Sequence, residues 1–229
     1  MKIYVVSCNQ ERWDRLIQAA IPLNLELVHI ESPLSSDEEV HRRGRVLFER
    51  KTGYLTGVAA TIGHIRAMEK MIQNGDSLAM IVEDDVRFHR DFNSKVQLIE
   101  DYMNNKAVDI FSIGFVNFPF PDASSPIILL HDMTILENVG LSNPWGAQCY
   151  MITNKYAKYF SNLFSIEDLS LPYSGPFVTD WVIFDPILGC NRSTLAVPIV
   201  VESPSEQSLA GNNNKPNLFE SLKLTDFYL

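Results

Sequence analysis

The chain has 229 residues, of which 46% are hydrophobic and 21% charged, as is ordinary for a soluble globular protein. Its formal net charge of −9, from 28 acidic and 19 basic residues, disfavours nucleic acid or an anionic bilayer as the main partner. The three cysteines are widely spaced, and no signal-peptide pattern or apolar run of the roughly 18–20 residues needed for a membrane span is present. We therefore expect a soluble, cytoplasmic protein without a membrane span.

The first predicted elements are a strand, a polar turn and a helix. Residues Ile3 to Ser7 are apolar and β-branched, a polar turn with Asn9 follows, and a helical stretch begins at Glu11. This order opens a βα unit, and the turn after a first strand is a usual place for a nucleotide. Neither a glycine-rich dinucleotide motif nor a P-loop is present, which disfavours those two classes of site. Arg12 and Arg15 lie one helical turn apart and could reach a diphosphate, or could simply be exposed helix arginines.

A second strand is predicted over Leu25 to Ile30. A helix starting at Ser36 then leads into a basic stretch, residues 41–51, which could meet an anionic ligand but is more typical of a solvated face. The longest helical pattern spans Gly53 to Asn74, with Gly75 as its stop signal. We expect His64 to project away from the apolar stripe of this helix, with either a ligand-binding or a structural role. That stripe consists of Val58, Ile62, Ile65 and Ile72.

An apolar run followed by three consecutive carboxylates is the most informative feature of the chain. Leu78 to Val82 has the composition of a strand buried on both faces, and Glu83, Asp84 and Asp85 follow it directly. Because side chains alternate along a strand, Glu83 and Asp85 are expected to point one way and Asp84 the other. Ligands of open α/β sheets bind at the carboxyl ends of the strands, where Mg²⁺ or Mn²⁺ would neutralise such acids. The alternative is a solvated turn whose acids face water.

The second half of the chain continues the alternation of strands and helices. An aromatic and proline-rich loop over residues 115–126 either lines an acceptor pocket or packs against the sheet. Asp180 lies at the start of a short apolar helix, where a negative charge is favoured; it is a candidate general base or only a helix cap. The other predicted elements are helices over Phe92–Asn105 and Asn154–Phe164 and strands over Asp109–Gly114 and Gln148–Thr153.

Several segments, in chain order from residue 3 to residue 208, resemble glycosyltransferase family 25, which includes the lipooligosaccharide galactosyltransferases. The most specific is the apolar strand that ends in Glu83-Asp84-Asp85, preceded by a helix that carries His64. Gly63 departs from the family pattern, which has Ser before the histidine, and Ala59-Ala60 replace a Gly-Cys pair. The other similar segments are Tyr4 to Ser7 with Arg12, Trp145 to Ile152, Thr179-Asp180-Trp181, and Val197 to Val200 with Gln207 and Ser208.

The resemblance implies a single α/β domain of the glycosyltransferase A (GT-A, Rossmann-like) type over residues 1–208, with a mostly parallel central sheet flanked by helices. Residues 209–229 would form a tail that packs on the domain or extends from it. The implied reaction is metal-dependent transfer of a hexose, galactose or glucose, from a nucleoside-diphosphate sugar, expected to be a UDP-sugar. The acceptor would be a hydroxyl of an oligosaccharide or other glycan, and the transfer would proceed with inversion.

The resemblance also suggests roles for individual residues. Asp85, with Glu83, would hold Mn²⁺ or Mg²⁺, which neutralises the charge on the leaving diphosphate. Asp180 would take the proton of the attacking hydroxyl. A tryptophan, Trp145 or Trp181, would bound the acceptor site. The residues expected to contact the base, phosphates or sugar of the donor are Ser7, Asn9, Arg12, His64, Glu83 and Asp84.

Other classes of protein fit the pattern less well. A glycoside hydrolase places its two carboxylates on either side of a sugar rather than in one cluster. A phosphatase that forms an aspartyl-phosphate needs Asp at the position of Glu83, because that residue is the nucleophile. The alternative that stays open is a nucleotide-sugar-binding domain without turnover.

Overall fold

The computed structural model of the protein describes residues 1–51, 54–114, 126–137, 146–164, 179–184, 191–202 and 228. Ten strands and six α-helices are present in these ranges. The strands are β1 Ile3–Ser7, β2 Leu27–Glu31, β3 Leu78–Glu83, β4 Val86–Phe88, β5 Ile110–Gly114, β6 Ile127–Leu130, β7 Met133–Glu137, β8 Cys149–Thr153, β9 Arg192–Leu195 and β10 Val200–Glu202. The helices are α1 Gln10–Ala20, α2 Glu38–Glu49, α3 Leu55–Asn74, α4 Phe92–Lys106, α5 Asn154–Leu163 and α6 Thr179–Phe184.

The strands join into one sheet in the order β2-β1-β3-β8-β5-β9-β7-β6, and β10 extends it by pairing with β5 and β4. From the pairing directions, β4, β7 and β8 run against the other strands, so seven of the ten described strands share one direction. The predicted α/β class with a mostly parallel central sheet flanked by helices is therefore confirmed. Strands β1, β2 and β3 are mutually parallel, so their carboxyl ends meet at one edge of the sheet.

Alternate residues of the central strands enter two separate hydrophobic cores. Tyr4 and Val6 of β1 face the core that contains residues of α2, α3, α5 and α6, whereas Ile3 and Val5 face the core that contains residues of α1 and α4. Both faces of the sheet are thus covered, which explains why β1 and β3 are continuous apolar runs rather than alternating ones.

Helix α3 lies across the centre of the first core. It ends at Gly75, whose φ of +71° is the left-handed conformation that a glycine stop provides, as predicted. His64, predicted to project away from the apolar stripe of this helix, is nevertheless buried and has no exposed surface. The sheet and α5 both pack against α3, so its buried face is wider than one apolar stripe.

The basic stretch forms part of α2 and the residues after it. Most of its basic side chains are exposed, as predicted for a solvated face. Arg43 is the exception, since it is buried and donates to Glu39 and to the backbone carbonyl of Phe164. The predicted loop over residues 115–126 lies outside the described residues, apart from residue 126. No helix in the described ranges is long and apolar enough to cross a membrane.

Candidate functional site

The turn between β1 and α1 forms one wall of the candidate site. Ser7 ends β1 and is buried, and Asn9 caps α1 by accepting a hydrogen bond from the backbone N–H of Arg12 at 3.1 Å. Only 5% of Arg12 is exposed. A buried guanidinium requires nearby negative charge, and the end of the neighbouring strand β3 supplies it.

Two of the three consecutive acids face this wall. The Ser7 hydroxyl donates to Oδ2 of Asp84 at 2.5 Å. Nη1 of Arg12 lies 3.4 Å from Oδ1 of Asp84 and 3.4 Å from Oδ2 of Asp85, so one guanidinium contacts both carboxylates. The register of the sheet explains the contact between Ser7 and Asp84. Val6 of β1 pairs with Glu83 of β3 in the parallel ladder, so the residues that follow them, Ser7 and Asp84, lie side by side.

The third acid points to the other face of the sheet. Oε1 of Glu83 lies 3.5 Å from Nε2 of His64 on α3, and 31% of the Glu83 side chain is exposed. The predicted alternation, with Glu83 and Asp85 on one side, was wrong. Strand β3 ends at Glu83, and Asp84 and Asp85 form a turn, so the strict alternation of a strand no longer applies to them.

Opposing effects act on the ionisation of Asp84. Burial raises the pKa of Asp84, and the charge of Glu83 raises it further, while the hydrogen bond from Ser7 and the charge of Arg12 act in the opposite direction. A positive charge placed beside Asp84 would favour its ionised form, as Arg12 does.

The residues present fit a cation that is shared with a ligand rather than enclosed by protein. In the described part of the chain, no group of three or more His, Cys, Asp or Glu side chains could hold a metal ion on its own. Mg²⁺ in nucleotide sites is ordinarily held by one or two carboxylates together with substrate phosphates and water. Asp85 could supply such a carboxylate on the side of Arg12, because its oxygens are hard ligands, whereas Glu83 points to the other face of the sheet, toward His64.

Asp180 lies in α6 and is joined to the end of the neighbouring strand β8. Its Oδ1 accepts a hydrogen bond from the backbone N–H of Ala147 at 2.9 Å. The backbone carbonyl of the next residue, Gln148, accepts a hydrogen bond from the backbone N–H of Glu83, also at 2.9 Å. Asp180 is therefore fixed one strand away from the acidic turn. The start of α6 is held against α3, where the Thr179 hydroxyl donates to the carbonyl of Gly57 at 2.9 Å.

The structure thus brings most of the predicted residues to one edge of the sheet. Trp145 and the side chain of Trp181 lie outside the described residues. Sequence reasoning missed Tyr150, whose hydroxyl oxygen lies 2.9 Å from Nδ1 of His64. A tyrosine within an apolar strand is most often a core residue, and only the packing of α3 on β8 gives this one a polar partner near the site.

The chain was compared with known proteins. The model of a family described as glycosyltransferase family 25 (LPS biosynthesis protein) matches residues 55–173, just over half of the chain. No curated protein matches. Among solved structures, a glycosyltransferase involved in the glycosylation of the major capsid of PBCV-1 aligns over 90% of this chain and 93% of its own, at 9% identity and a TM-score of 0.44. The inositol-1-phosphate CTP transferase from T. maritima aligns over 91% of this chain and 71% of its own, at 10% identity and a TM-score of 0.36.

Proposed function

Because the chain belongs to glycosyltransferase family 25 and is a glycosyltransferase, we propose that it transfers a hexose from a nucleoside-diphosphate sugar to a hydroxyl of an oligosaccharide or other glycan. We further propose that the donor is a UDP-sugar and that the hexose is galactose or glucose. The observation that supports this proposal is the meeting of Arg12 with Asp84 and Asp85 at the carboxyl ends of β1 and β3. This edge is where α/β sheets bind nucleotides.

The β1–α1 turn would bind the nucleotide part of the donor. Ser7 and Asn9 lie at the end of β1 and at the cap of α1, next to Arg12. The Arg12 guanidinium would exchange part of its contact with the two aspartates for the donor phosphates, since bidentate contacts to phosphate suit its geometry. Asp84 would accept hydrogen bonds from ribose or sugar hydroxyls.

A divalent cation, Mn²⁺ or Mg²⁺, would be held by Asp85 together with the donor phosphates. When bound, it would supply Lewis-acid neutralisation of the charge that develops on the leaving diphosphate. Glu83, the second metal ligand that the sequence suggested, points to the other face of the sheet and would instead accept hydrogen bonds from hydroxyls of the donor. The acids themselves would contribute the negative charge of their carboxylates at the turn that follows β3.

Asp180 would act as the general base. Its carboxylate would take the proton of the acceptor hydroxyl while the hydroxyl oxygen attacks the anomeric carbon and the bond from that carbon to the diphosphate oxygen breaks. A single displacement of this kind inverts the anomeric centre. The hydrogen bond from the Ala147 N–H would hold the carboxylate in one orientation. Trp145 or Trp181 would bound the acceptor site.

The test is a screen of UDP-galactose, UDP-glucose and other nucleotide sugars with Mn²⁺, scored by released nucleoside diphosphate with and without glycan acceptors. Asp180→Asn should lower kcat by about 10²- to 10⁴-fold, the usual contribution of a general base. The same variant should bind donor as the wild type does in calorimetry, because Asn can still accept the Ala147 N–H.

Asp101→Asn, an exposed substitution on α4, is the matched control and should change neither quantity. Full transfer by Asp180→Asn would remove Asp180 from the mechanism. Donor binding without transfer or hydrolysis across the whole panel would instead favour a binding domain without turnover.

A further inference from the structure

A buried histidine–tyrosine pair lies behind the acidic turn. His64 on α3 and Tyr150 on β8 have no exposed surface. Their rings are stacked, with centroids 5.7 Å apart, and Nδ1 of His64 lies 2.9 Å from the Tyr150 hydroxyl oxygen. Polar groups buried inside an apolar core destabilise the fold unless they have hydrogen-bonding or charged partners. The surroundings of the second ring nitrogen of His64 therefore matter.

That second nitrogen, Nε2, faces Glu83. It makes no hydrogen bond in the described residues and lies 3.5 Å from Oε1 of Glu83. A carboxylate oxygen can only accept a hydrogen bond, so the favourable arrangement has the proton on Nε2. Neutral Nδ1 is then an acceptor, and the Tyr150 hydroxyl donates to it. Burial and the charge of Glu83 both raise the pKa of Tyr150, so its hydroxyl keeps the proton that this arrangement needs.

We propose that Tyr150 and His64 are positioning residues that orient the carboxylate of Glu83 in the donor site, through the hydrogen bond between Tyr150 and Nδ1 of His64 and the contact of Nε2 with Glu83. This inference rests on the proposed function for the role of Glu83. His64 would then contribute to donor binding through Glu83 rather than by touching the donor. The arrangement is the one by which outer partners orient ligating side chains and fix the histidine tautomer.

The same tyrosine also packs against the helix that carries the proposed base. The Tyr150 ring meets the Phe184 ring of α6 edge to face, with centroids 5.5 Å apart. The Tyr156 hydroxyl donates to the carbonyl of Ile183 at 2.7 Å and fixes the end of that helix. Tyr150 therefore contacts both the group that orients Glu83 and the element that holds Asp180.

Two substitutions of His64 separate positioning from a purely structural role. The amide of His64→Gln can reach the place of Nε2, whereas that of His64→Asn reaches only the place of Nδ1. We expect His64→Gln to keep affinity for UDP-galactose with Mn²⁺ within about threefold of the wild type, and His64→Asn to lose tenfold or more. Both should lower the unfolding temperature to a similar extent. Equal losses of donor affinity in the two variants would overturn the proposal.

A second experiment needs no donor, so its outcome is independent of the proposed function. Long-range ¹H–¹⁵N spectra of the ¹⁵N-histidine-labelled full chain report which ring nitrogen carries the proton, and His64→Asn assigns the His64 signals. We expect a protonated Nε2 and an acceptor Nδ1, with the Nδ1 signal shifting in Tyr150→Phe and the Nε2 signal in Glu83→Gln. A pyridine-like Nε2, or signals insensitive to both substitutions, would overturn the proposal.

Discussion

Replacing Gly63 by alanine should push α3 away from the sheet and destabilise the fold. A Cβ atom at this position would lie 2.5 Å from Cγ1 of Val6, 2.7 Å from the Ser32 hydroxyl oxygen and 3.0 Å from Cβ of Ser32. Two of these distances are shorter than real Cβ contacts. The Val6 γ-carbon belongs to a stiff β-branched side chain in β1, and the Cβ of Ser32 is fixed to the backbone that directly follows β2.

The size of the effect follows from two opposing terms. Overpacking a core typically destabilises by about 1–3 kcal/mol, whereas Gly to Ala inside a helix stabilises by about 1 kcal/mol. With three close contacts we expect the upper part of the first range, and so a net loss of about 1–2 kcal/mol. For a chain of this length that corresponds to an unfolding temperature roughly 2–8 °C lower.

The assay is thermal and urea unfolding of a double-mutant cycle with Val6→Ala, which removes the nearest atom. We expect the two substitutions to be coupled, so that the double variant is more stable than the sum of the single losses predicts. Gly75→Ala is the matched control: it has open space but a φ of +71°, and its loss should add to that of Val6→Ala without coupling. A Gly63→Ala protein as stable as the wild type would refute the reasoning.

Two further predictions concern the charge of the acidic turn. Because burial raises the folded-state pKa of Asp84, the stability that its protonated form contributes is present below the unfolded value of 3.8 and is lost as pH rises through the higher folded value. Asp84→Asn should therefore gain in unfolding temperature relative to the wild type between pH 4 and pH 7; a relative loss over that range would contradict this. The pKa of the Cys8 thiol is raised by burial and by Asp84, so in a Cys190→Ser background iodoacetamide should label it more slowly at pH 7.5 than it labels an unfolded control. Adding Asp84→Asn should speed labelling, and an unchanged rate would count against the electrostatic link.

The acidic turn could be located from the sequence because its physics is local. Apolar residues running into three carboxylates indicate a buried strand that ends at a ligand edge, and β3 does run over Leu78–Glu83 directly into the acidic turn. The first strand and the long helix could also be predicted from the sequence, because each has a clear composition and a stop signal. The structure also explains why this chain has Gly63 where the family pattern has Ser. Ser32 occupies the space that a side chain at position 63 would need.

The partners of the acids could not be predicted, because they depend on how distant segments pack. The burial of His64 could not be predicted, since a periodicity count identifies one apolar stripe and not the other sides of α3 that the sheet and α5 cover. The pairing of both aspartates with Arg12 required the parallel register of β1 and β3. Short strands such as β4 and β10, which pair with each other, carry too few residues for a pattern of their own.

The central claim, that the acidic turn binds a nucleotide-sugar donor together with a cation, is tested most directly by calorimetric titration of UDP-galactose and UDP-glucose into wild type and Asp85→Asn. Each titration is run with Mn²⁺ and with a chelator. The account predicts that the wild type binds at least one donor more tightly with Mn²⁺, and that Asp85→Asn loses this difference while keeping its fold. An Asp85→Asn protein with wild-type affinity and wild-type Mn²⁺ dependence would contradict it.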